Sequence, residues 1–552
     1  MTQNGSNKLT IILIFAFFFL VYVTSSSGHF DPWDGMGFFL LTESMALKHS
    51  AKLYPDQPTV QQLSTHSSPI KPNFPNACDT CDLIVKPTYS VGKPYLLTPA
   101  MAVPFYYAAL LFSVPPITVV ALFANSFIMS LTCVVLFCFS LALYKSKKIA
   151  FVLTLIFGVC SFIWPYNSSL MSDPTNALCI FASTYFIYIA TRQDNTERIR
   201  ASSNNRVLDS GTTATNFIVN HENKNKRVYF AGLAALLLGL SVFAHSTSGI
   251  LIPGFLVYFI FSIRHNNNRK ILLISFLLVL GTLLLFAGFT NYIRFGSFTK
   301  FGLTNYEEGA TLSVHRQWQG LVGLLVSPGK GLIFYFPIAI LLPLAFRYMY
   351  AKNKGLFFIS TYTFIATWLF FGTVFFLGGK FPAAGDWGGL WWGPRYLMAS
   401  LPFIALASGT LFEHLKMNKF LKVSGLIILC FAGFLVNLLG VLVWWEFGNV
   451  YNNTGLGQDT LTPKVWTIYH SYIAADVGIL MSNFVSQIQP VKFSAWSFTL
   501  LPCSYDNYLF CKYGIMPILL LSTVIAIVGI TIMIRIGVFH SPSRSLKVLR
   551  VK

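Results

Sequence analysis

The chain has 552 residues, of which 54% are hydrophobic and only 11% are charged. Soluble globular domains carry about 25% charged residues, so the composition excludes a soluble protein. The formal net charge of +20 does not indicate nucleic-acid binding, because the sequence has no basic patch with interleaved aromatic residues.

Apolar runs of membrane-spanning length recur along the chain. They are continuous rather than alternating, which predicts an all-α bundle of about twelve transmembrane helices rather than a barrel. The first run could be a signal peptide, but only Lys8 precedes it, and we interpret it as a retained helix. The predicted spans are residues 9–24, 118–143, 149–164, 175–191, 228–245, 249–263, 271–290, 331–346, 355–378, 396–412, 423–445 and 513–535.

The charges orient these spans. With the N-terminus in the cytoplasm, the inside segments hold 25 Lys and Arg residues and 5 acids, whereas the outside segments hold 14 of each. The whole positive excess therefore lies inside, as the positive-inside rule requires. We expect a multi-pass protein of the plasma membrane with both termini in the cytoplasm.

Long outside segments predict that the chemistry takes place on the non-cytoplasmic side. The apolar stretch from Pro99 to Pro115 is interrupted by prolines and is predicted to be interfacial or re-entrant. We divide the chain into a catalytic module over 1–415, with a flexible cytoplasmic insert at 192–227, and C-terminal spans over 416–552. The last part contains the large outside loop 446–512.

The outside segments also carry candidate modification sites. Cys503 and Cys511 could form a local disulfide in an oxidising compartment. Cys78 and Cys81 could form a tight bridge or one half of a zinc site. Asn167-Ser168-Ser169 and Asn452-Asn453-Thr454 fit the N-glycosylation pattern, and their use depends on the host.

Acidic residues lie at the outer ends of two spans. Asp31 and Asp34 follow the first span among aromatic residues, and Asp173 lies in the short loop 165–174. A carboxylate there can accept a proton from a hydroxyl nucleophile or bind a divalent metal. The alternatives are a solvated turn at Asp34, and a helix N-cap at Asp173 because Pro174 follows it.

Three cations lie at the hydrocarbon boundary on the same side: Arg294, Lys330 and Arg395. They could extend to lipid head groups. They could also recognise a phosphate on a lipid chain, because glycines beside Lys330 and Arg395 allow close backbone approach and Arg offers a bidentate fork.

Aromatic residues cluster just before Arg395. Trp387, Trp391 and Trp392 lie within a few residues of Asp386. Trp rings are common anchors at membrane interfaces. Together with Asp386, they could equally form a platform for a sugar ring.

These features resemble the polyprenyl-phosphate-sugar-dependent membrane glycosyltransferases of the GT-C superfamily, near protein mannosyltransferases and aminoarabinose transferases. The resemblance covers roughly residues 10–415. It is carried by Asp34-Gly35 with Thr42-Glu43-Ser44, Trp164-Pro165-Tyr166 with Ser172-Asp173-Pro174, Asn291-Tyr292 with Arg294-Phe295-Gly296 and then Ser327 to Gly331, and Trp392-Gly393-Pro394-Arg395-Tyr396.

The resemblance implies an inverting transfer of a hexose or pentose from a polyprenyl-phosphate donor to a protein, lipid or glycan acceptor. Asp34 would be the base, with Asp173 beside it, and both would hold any bound divalent metal. Many members have adjacent acids in the first loop, whereas Asp31 and Asp34 are separated here. The resemblance also implies phosphate contacts from Lys330, Arg395 and Arg294 and substrate contacts from Glu43, Asp386, Trp387, Trp391 and Trp392.

Two other functions remain open at this stage. A transporter or flippase would also need many spans, although such proteins tend to show related halves and ionisable residues near the bilayer midplane. A non-catalytic subunit of the same fold would share the architecture without the reaction.

Overall fold

The computed structural model is a helical bundle. It describes residues 3–29, 34–54, 56–59, 84–86, 89–91, 95–191, 213–298, 314–373, 392–414, 420–443, 466–486 and 507–537. Most of the predicted insert at 192–227 lies outside these residues.

Eighteen α-helices are numbered here in chain order through the described residues. They are α1 Gln3–Thr24, α2 Asp34–Lys48, α3 Leu97–Leu111, α4 Pro116–Tyr144, α5 Lys147–Cys160, α6 Ser172–Thr191, α7 Thr213–Ala244, α8 Ile252–Ile263, α9 Arg269–Phe295, α10 Val314–Val326, α11 Leu332–Tyr335, α12 Leu342–Lys352, α13 Lys354–Thr373, α14 Leu401–His414, α15 Phe420–Leu442, α16 Tyr472–Ser486, α17 Tyr508–Tyr513 and α18 Ile515–Arg535.

Shorter elements connect the helices. Two short strands, β1 Ile84–Lys86 and β2 Tyr89–Val91, pair antiparallel as a small hairpin, which the all-α prediction did not include. The 3₁₀ helices are Trp164–Ser168, Ser246–Leu251, Pro337–Leu341, Arg395–Ser400 and Ile468–His470.

The chain is an integral multi-pass membrane protein by the length and composition of its helices. Eight helical segments in the described part of the chain are long and apolar enough to cross a membrane. Each predicted span overlaps a helix or a short series of helices. The prediction of a helical membrane bundle is therefore confirmed, and the number twelve stays a prediction.

Local sequence signals set the boundary between α4 and α5. Pro116 occupies the first turn of α4, where its missing N–H costs nothing. Lys145 ends the helix in a left-handed conformation. Ser146 then caps α5, because its Oγ accepts a hydrogen bond from the Ile149 N–H at 3.3 Å. A two-residue turn therefore reverses the chain.

Helix α1 packs inside the bundle, against α4 and α18. Its Ile14, Phe18 and Tyr22 side chains are fully buried. The Tyr22 hydroxyl donates to the Gly158 carbonyl at 3.0 Å. The interpretation of the first apolar run as a retained helix stays a prediction.

Helix α14 is the most enclosed of the long apolar helices, whereas α18 lies at the periphery. Every residue of α14 from Leu401 to Thr410 is buried, but α18 exposes Leu520 and most of its other apolar side chains. In hydrocarbon an exposed apolar face contacts lipid, so α18 is a lipid-facing helix. The short helix preceding α14 is therefore held on a rigid central element.

Candidate functional site

A polar cleft lies where the ends of four central elements meet. Its cavity volume is about 10 Å³, roughly the space that one water molecule needs. By the predicted orientation, this is the outer end of the bundle. The lining residues are Asp173, Asn176, His245, Thr247, Ser248, Leu251, Thr367, Phe371, Tyr396 and Ala399.

Asp173 is one of the predicted acids, and the structure places it in this cleft. Helix α6 begins at Ser172, so Asp173 lies in the first turn rather than at the N-cap position predicted for it. Asp173 is 8% exposed. The N-terminal turn of a helix favours a negative charge through its unpaired N–H groups and dipole. The fold therefore provides a suitable environment for a carboxylate there.

His245 is a lining residue that sequence reasoning missed. It follows α7 in an extended conformation, and its ring stacks on Tyr95 with centroids 4.5 Å apart. Its Nδ1 lies 2.6 Å from the Thr247 hydroxyl. The available signal was a single His after an apolar run, followed by Ser-Thr-Ser. Nothing in that pattern indicates which helix it will meet.

The walls of the cleft differ in chemistry. On one side the Ser248 hydroxyl donates to the Asn176 Oδ1 at 2.7 Å. On the other side the rings of Phe371 and Tyr396 stack with centroids 4.4 Å apart. Hydroxyl and amide groups facing aromatic rings suit a ligand that is both hydroxylated and partly apolar.

Arg395 lies at the edge of the same cleft. Its Nη2 donates to the Tyr396 hydroxyl at 3.0 Å, and its Nη1 is 3.9 Å from the Met171 sulfur. Tyr396 lines the cleft, and Met171 lies two residues before Asp173. Arg395 therefore contacts two residues close to the cleft, and its predicted role beside Asp173 stays a prediction.

Lys330 lies in a tight turn between α10 and α11. Its N–H donates to the Ser327 Oγ at 3.1 Å, and the Gly331 N–H donates to the Ser327 carbonyl at 2.6 Å. A Cβ at Gly331 would lie 2.5 Å from the Ser327 backbone, so only glycine fits. The Tyr335 hydroxyl donates to the Gly329 carbonyl at 2.8 Å. Lys330 itself is 1% exposed, which does not fit a side chain extended to lipid head groups.

Trp392 is a packing residue, not an exposed sugar platform or an interface anchor. It is 1% exposed, and its ring meets Tyr335 edge-to-face at 5.2 Å. Its Nε1 donates to the Asn437 Oδ1 at 3.4 Å, and its carbonyl accepts from the Tyr166 hydroxyl at 2.9 Å. A Cβ at Gly440 would lie 2.4 Å from the indole ring. The prediction that this ring contacts substrate does not match its position.

Asn437 links the Trp392 segment to the Lys330 turn. Its Nδ2 donates to the Tyr335 carbonyl at 2.9 Å and to the Gly433 carbonyl at 2.7 Å. Tyr335 in turn holds the Lys330 turn, while Trp392 precedes Arg395 by three residues. One buried amide in α15 therefore connects the two cation-bearing segments.

Asp476 in α16 is a second residue that sequence reasoning missed. It is fully buried, and burial raises the pKa of its carboxyl well above the ordinary value. Tyr472 lies one turn earlier, and the Lys330 Nζ is 4.3 Å from the centroid of the Tyr472 ring. The only sequence signal was a lone acid in an apolar stretch of the 446–512 loop.

Arg294 lies in the last turn of α9, before Gly296 ends the helix with a positive φ. It is 5% exposed, so it too does not extend to lipid head groups. It is not among the residues that line the cleft. Its predicted phosphate contact stays a prediction.

Glu43 has a structural environment in α2. Its carboxylate accepts from the Thr59 N–H at 3.3 Å and hydroxyl at 2.8 Å, from the Tyr106 hydroxyl at 3.3 Å, and from the Gln57 amide at 3.5 Å. Burial raises its pKa, and the bonds from Thr59 and Tyr106 oppose that shift. Glu43 therefore fastens α2 to two other segments, and the predicted substrate contact does not match these bonds.

Asp34 begins α2, but its side chain lies outside the described part of the chain. One turn later Phe38 packs on Tyr95 with centroids 6.2 Å apart, and Tyr95 stacks on His245. The start of α2 is thereby connected to the cleft. The predictions for Asp31, Asp386, Trp387, Trp391, Cys78, Cys81, Cys503 and the side chain of Cys511 fall outside the described residues.

The structure also bears on the predicted metal site and on the glycosylation pattern at Asn167. In the parts of the chain that the structure describes, no group of three or more His, Cys, Asp or Glu side chains could hold a metal. Asp34 is outside that search, so a metal at Asp34 and Asp173 stays a prediction. Asn167 is 1% exposed, and its Nδ2 donates to the Tyr22 carbonyl at 2.7 Å. The Asn167 amide is therefore buried and hydrogen-bonded in the folded chain.

Fold and cleft together define a helical membrane protein with a polar site at one end of its bundle. No protein-family model matches the chain, and no curated protein matches it in sequence. Several solved structures are similar to it in fold.

ArnT from Cupriavidus metallidurans bound to undecaprenyl phosphate is similar over 97% of this chain and 78% of its own, with 12% identity and a TM-score of 0.44. The apo state of the same ArnT gives the same coverage and TM-score with 11% identity. The oligosaccharyltransferase of Archaeoglobus fulgidus in the apo form is similar over 82% of this chain and 58% of its own, with 11% identity and a TM-score of 0.41.

Proposed function

We propose that this protein transfers a sugar from a polyprenyl-phosphate donor to an acceptor on the non-cytoplasmic face of the plasma membrane. The observation that supports this proposal most is the cleft at one end of the bundle, where the buried Asp173 and His245 lie near Arg395. A carboxylate and a cation at the boundary of a membrane bundle suit a phosphate delivered by a lipid. The proposal rests on this cleft rather than on the similarities in fold.

The reaction forms a bond from the acceptor oxygen to the anomeric carbon and breaks the bond from that carbon to the phosphate oxygen. The phosphate leaves with the electron pair, and the acceptor proton passes to a carboxylate. Asp34 is the proposed base, with Asp173 as its partner. Attack opposite the leaving phosphate inverts the anomeric centre.

Negative charge develops on the phosphate as it leaves, and fixed positive charges stabilise it most at that moment. Arg395 and Lys330 are the proposed groups. Both are held by the fold in advance, Arg395 through Tyr396 and Lys330 through its turn. Preorganised cations avoid a reorganisation cost during the reaction.

A divalent metal, if bound, would be held by Asp34 and Asp173 and would supply further positive charge to the phosphate. The acceptor would be a protein, a lipid or a glycan. The donor lipid would approach from the surrounding membrane.

The test is a transfer assay with the purified protein and a panel of polyprenyl-phosphate sugars. We expect one donor to give product, and Asp34→Asn to lose it. Loss of transfer on adding EDTA, with recovery on adding a divalent metal, would support the metal. A protein that moves the lipid-linked sugar across vesicles without transferring it would be the transporter, and one that does neither would be the non-catalytic subunit.

A further inference from the structure

Asp476 has no place in the proposed reaction, yet the fold buries it completely. In the described part of the chain, neither of its carboxylate oxygens has a hydrogen-bond partner. Natural proteins satisfy nearly all buried polar groups, because an unsatisfied one costs stability. A buried acid kept without a partner indicates a group that a ligand satisfies.

The surroundings of Asp476 restrict the chemistry of that ligand. Tyr472 lies one helical turn before it, on the same side of α16. The Lys330 ammonium lies over the Tyr472 ring at 4.3 Å. Tyr335, whose hydroxyl is committed to the Gly329 carbonyl at 2.8 Å, lies within electrostatic range of Tyr472 and Asp476.

A cationic ligand group does not suit this place, because Lys330 already supplies a positive charge beside Tyr472. A hydroxyl group does suit it. A hydroxyl donates a hydrogen bond to an ionised carboxylate and accepts one from a protonated carboxyl, so it satisfies Asp476 in either state.

We propose that Lys330 and Asp476 form a two-part site for a ligand that carries a phosphate and a hydroxyl close together. Lys330 binds the phosphate, and Asp476 hydrogen-bonds a hydroxyl on the adjoining sugar. The role of Lys330 in this site rests on the proposed function. The site extends that function, because it names Asp476 as the residue that distinguishes a glycosylated lipid phosphate from a bare one.

The experiment compares two probes, undecaprenyl phosphate and an undecaprenyl-phosphate hexose, binding to the purified full-length protein. We expect Asp476→Leu to weaken binding of the hexose-bearing lipid by about tenfold and to leave the bare lipid unchanged. Lys330→Met should weaken both lipids. Asp476→Asn keeps the shape of the side chain and should give a smaller loss in the same direction.

Thermal unfolding gives an independent readout. Replacing a buried, unpartnered acid by an apolar residue should raise the Tm of Asp476→Leu by about 3 °C while binding falls. The matched control is Glu413→Gln, which removes a different acid, one that pairs with Lys352 at 2.8 Å. It should leave both affinities unchanged.

The outcomes separate this site from the proposed function. Wild-type protein that binds both lipids, with Asp476→Leu unchanged or equally weak toward both, overturns the site alone. A lower Tm for Asp476→Leu with unchanged binding assigns Asp476 to packing and also overturns the site. Wild-type protein that binds neither lipid overturns the proposed donor and this site together.

Discussion

Asp173 and Asp476 are both buried acids, but the protein surrounds them differently. Asp173 lies in the first turn of α6, in a cleft with His245, Asn176 and Ser248. Asp476 lies one turn after Tyr472 in α16, with no hydrogen-bond partner in the described residues. The first environment is built to hold a charge before any ligand arrives. The second gains its partner only with a ligand.

This difference separates two kinds of contribution. Loss of the Asp173 carboxylate should lower the rate of sugar transfer but change the free energy of unfolding little. The first turn of α6 and the cleft still offer polar partners to the replacing side chain. Loss of the Asp476 carboxylate should increase stability and reduce binding. Measuring activity and stability on the same variants therefore shows whether the two acids differ as their surroundings suggest.

The largest expected effect is the fall in transfer rate when Asp173 is replaced. Asp173→Asn keeps the size of the side chain but removes its negative charge, so transfer should fall by roughly 10²- to 10⁴-fold, the usual contribution of a positioned acid or base. The measurement is initial rate with saturating donor, together with Tm.

Asp56→Asn is the matched control for Asp173→Asn. Asp56 is exposed and pairs only with Lys48 among the described residues, so transfer should remain at the wild-type rate. If Asp173→Asn also kept the wild-type rate, the cleft would not be the catalytic site.

A smaller effect on donor binding is expected from replacing Asn437, which links the Trp392 segment to the Lys330 turn. Asn437→Leu removes the hydrogen bonds to Tyr335, Gly433 and Trp392. The buried Tyr335 carbonyl and Trp392 Nε1 then lose the partner that Asn437 provides. Unfolding free energy in detergent should fall by about 2 kcal/mol. The KM for donor should rise more than kcat falls, because both cations lose support.

Ser140→Ala provides the comparison for Asn437→Leu. The Ser140 hydroxyl is buried without a partner in the described structure, so its removal should not destabilise the protein. Equal losses of stability in both variants would show that burial alone, and not the Asn437 network, determines the effect.

Much of the fold could be predicted from the sequence, because a membrane span is a local property of about twenty consecutive apolar residues. Charge asymmetry then assigned each loop to a side, which placed Asp173 and Arg395 together at one end. His245 and Asp476 were missed for a physical reason. His245 is a single His at the end of an apolar run, and Asp476 is a single acid within one. Only the packing of α7 on α6, or of α16 beside the Lys330 turn, gives them neighbours.

The same limit explains why the buried positions of Glu43 and Trp392 could not be predicted from the sequence. A Glu or Trp in a suggestive motif has the same sequence signal whether it faces a ligand or the core. Here Thr59 and Tyr106 donate hydrogen bonds to the Glu43 carboxylate. The Trp392 ring donates to Asn437 and packs edge-to-face against Tyr335. These partners lie 16 to 63 residues away from the first and 45 to 57 residues from the second, beyond the reach of any local pattern.

The smallest expected effect concerns Glu43, the third buried acid, which has the partners that Asp476 lacks. Burial holds the pKa of Glu43 above its ordinary value, so the folded state favours the protonated carboxyl. Its contribution to stability is therefore fully present below the ordinary pKa, about 4.3, and is lost as pH rises through the folded pKa. Glu43→Gln is neutral throughout, so its Tm relative to wild type should rise by about 1 to 2 °C between pH 4 and pH 8.

Asp56→Asn should show a trend of the opposite sign, but below about pH 4 rather than between pH 4 and pH 8, which makes it an internal check on the sign. Lys48 holds the pKa of Asp56 below its ordinary value, so that contribution is present at neutral pH and is lost as pH falls. If Glu43→Gln and wild type gave parallel Tm curves across this range, the hydrogen bonds from Thr59 and Tyr106 would fully offset the effect of burial. Asp476, which has no such bonds, should then give a larger pH-dependent difference than Glu43.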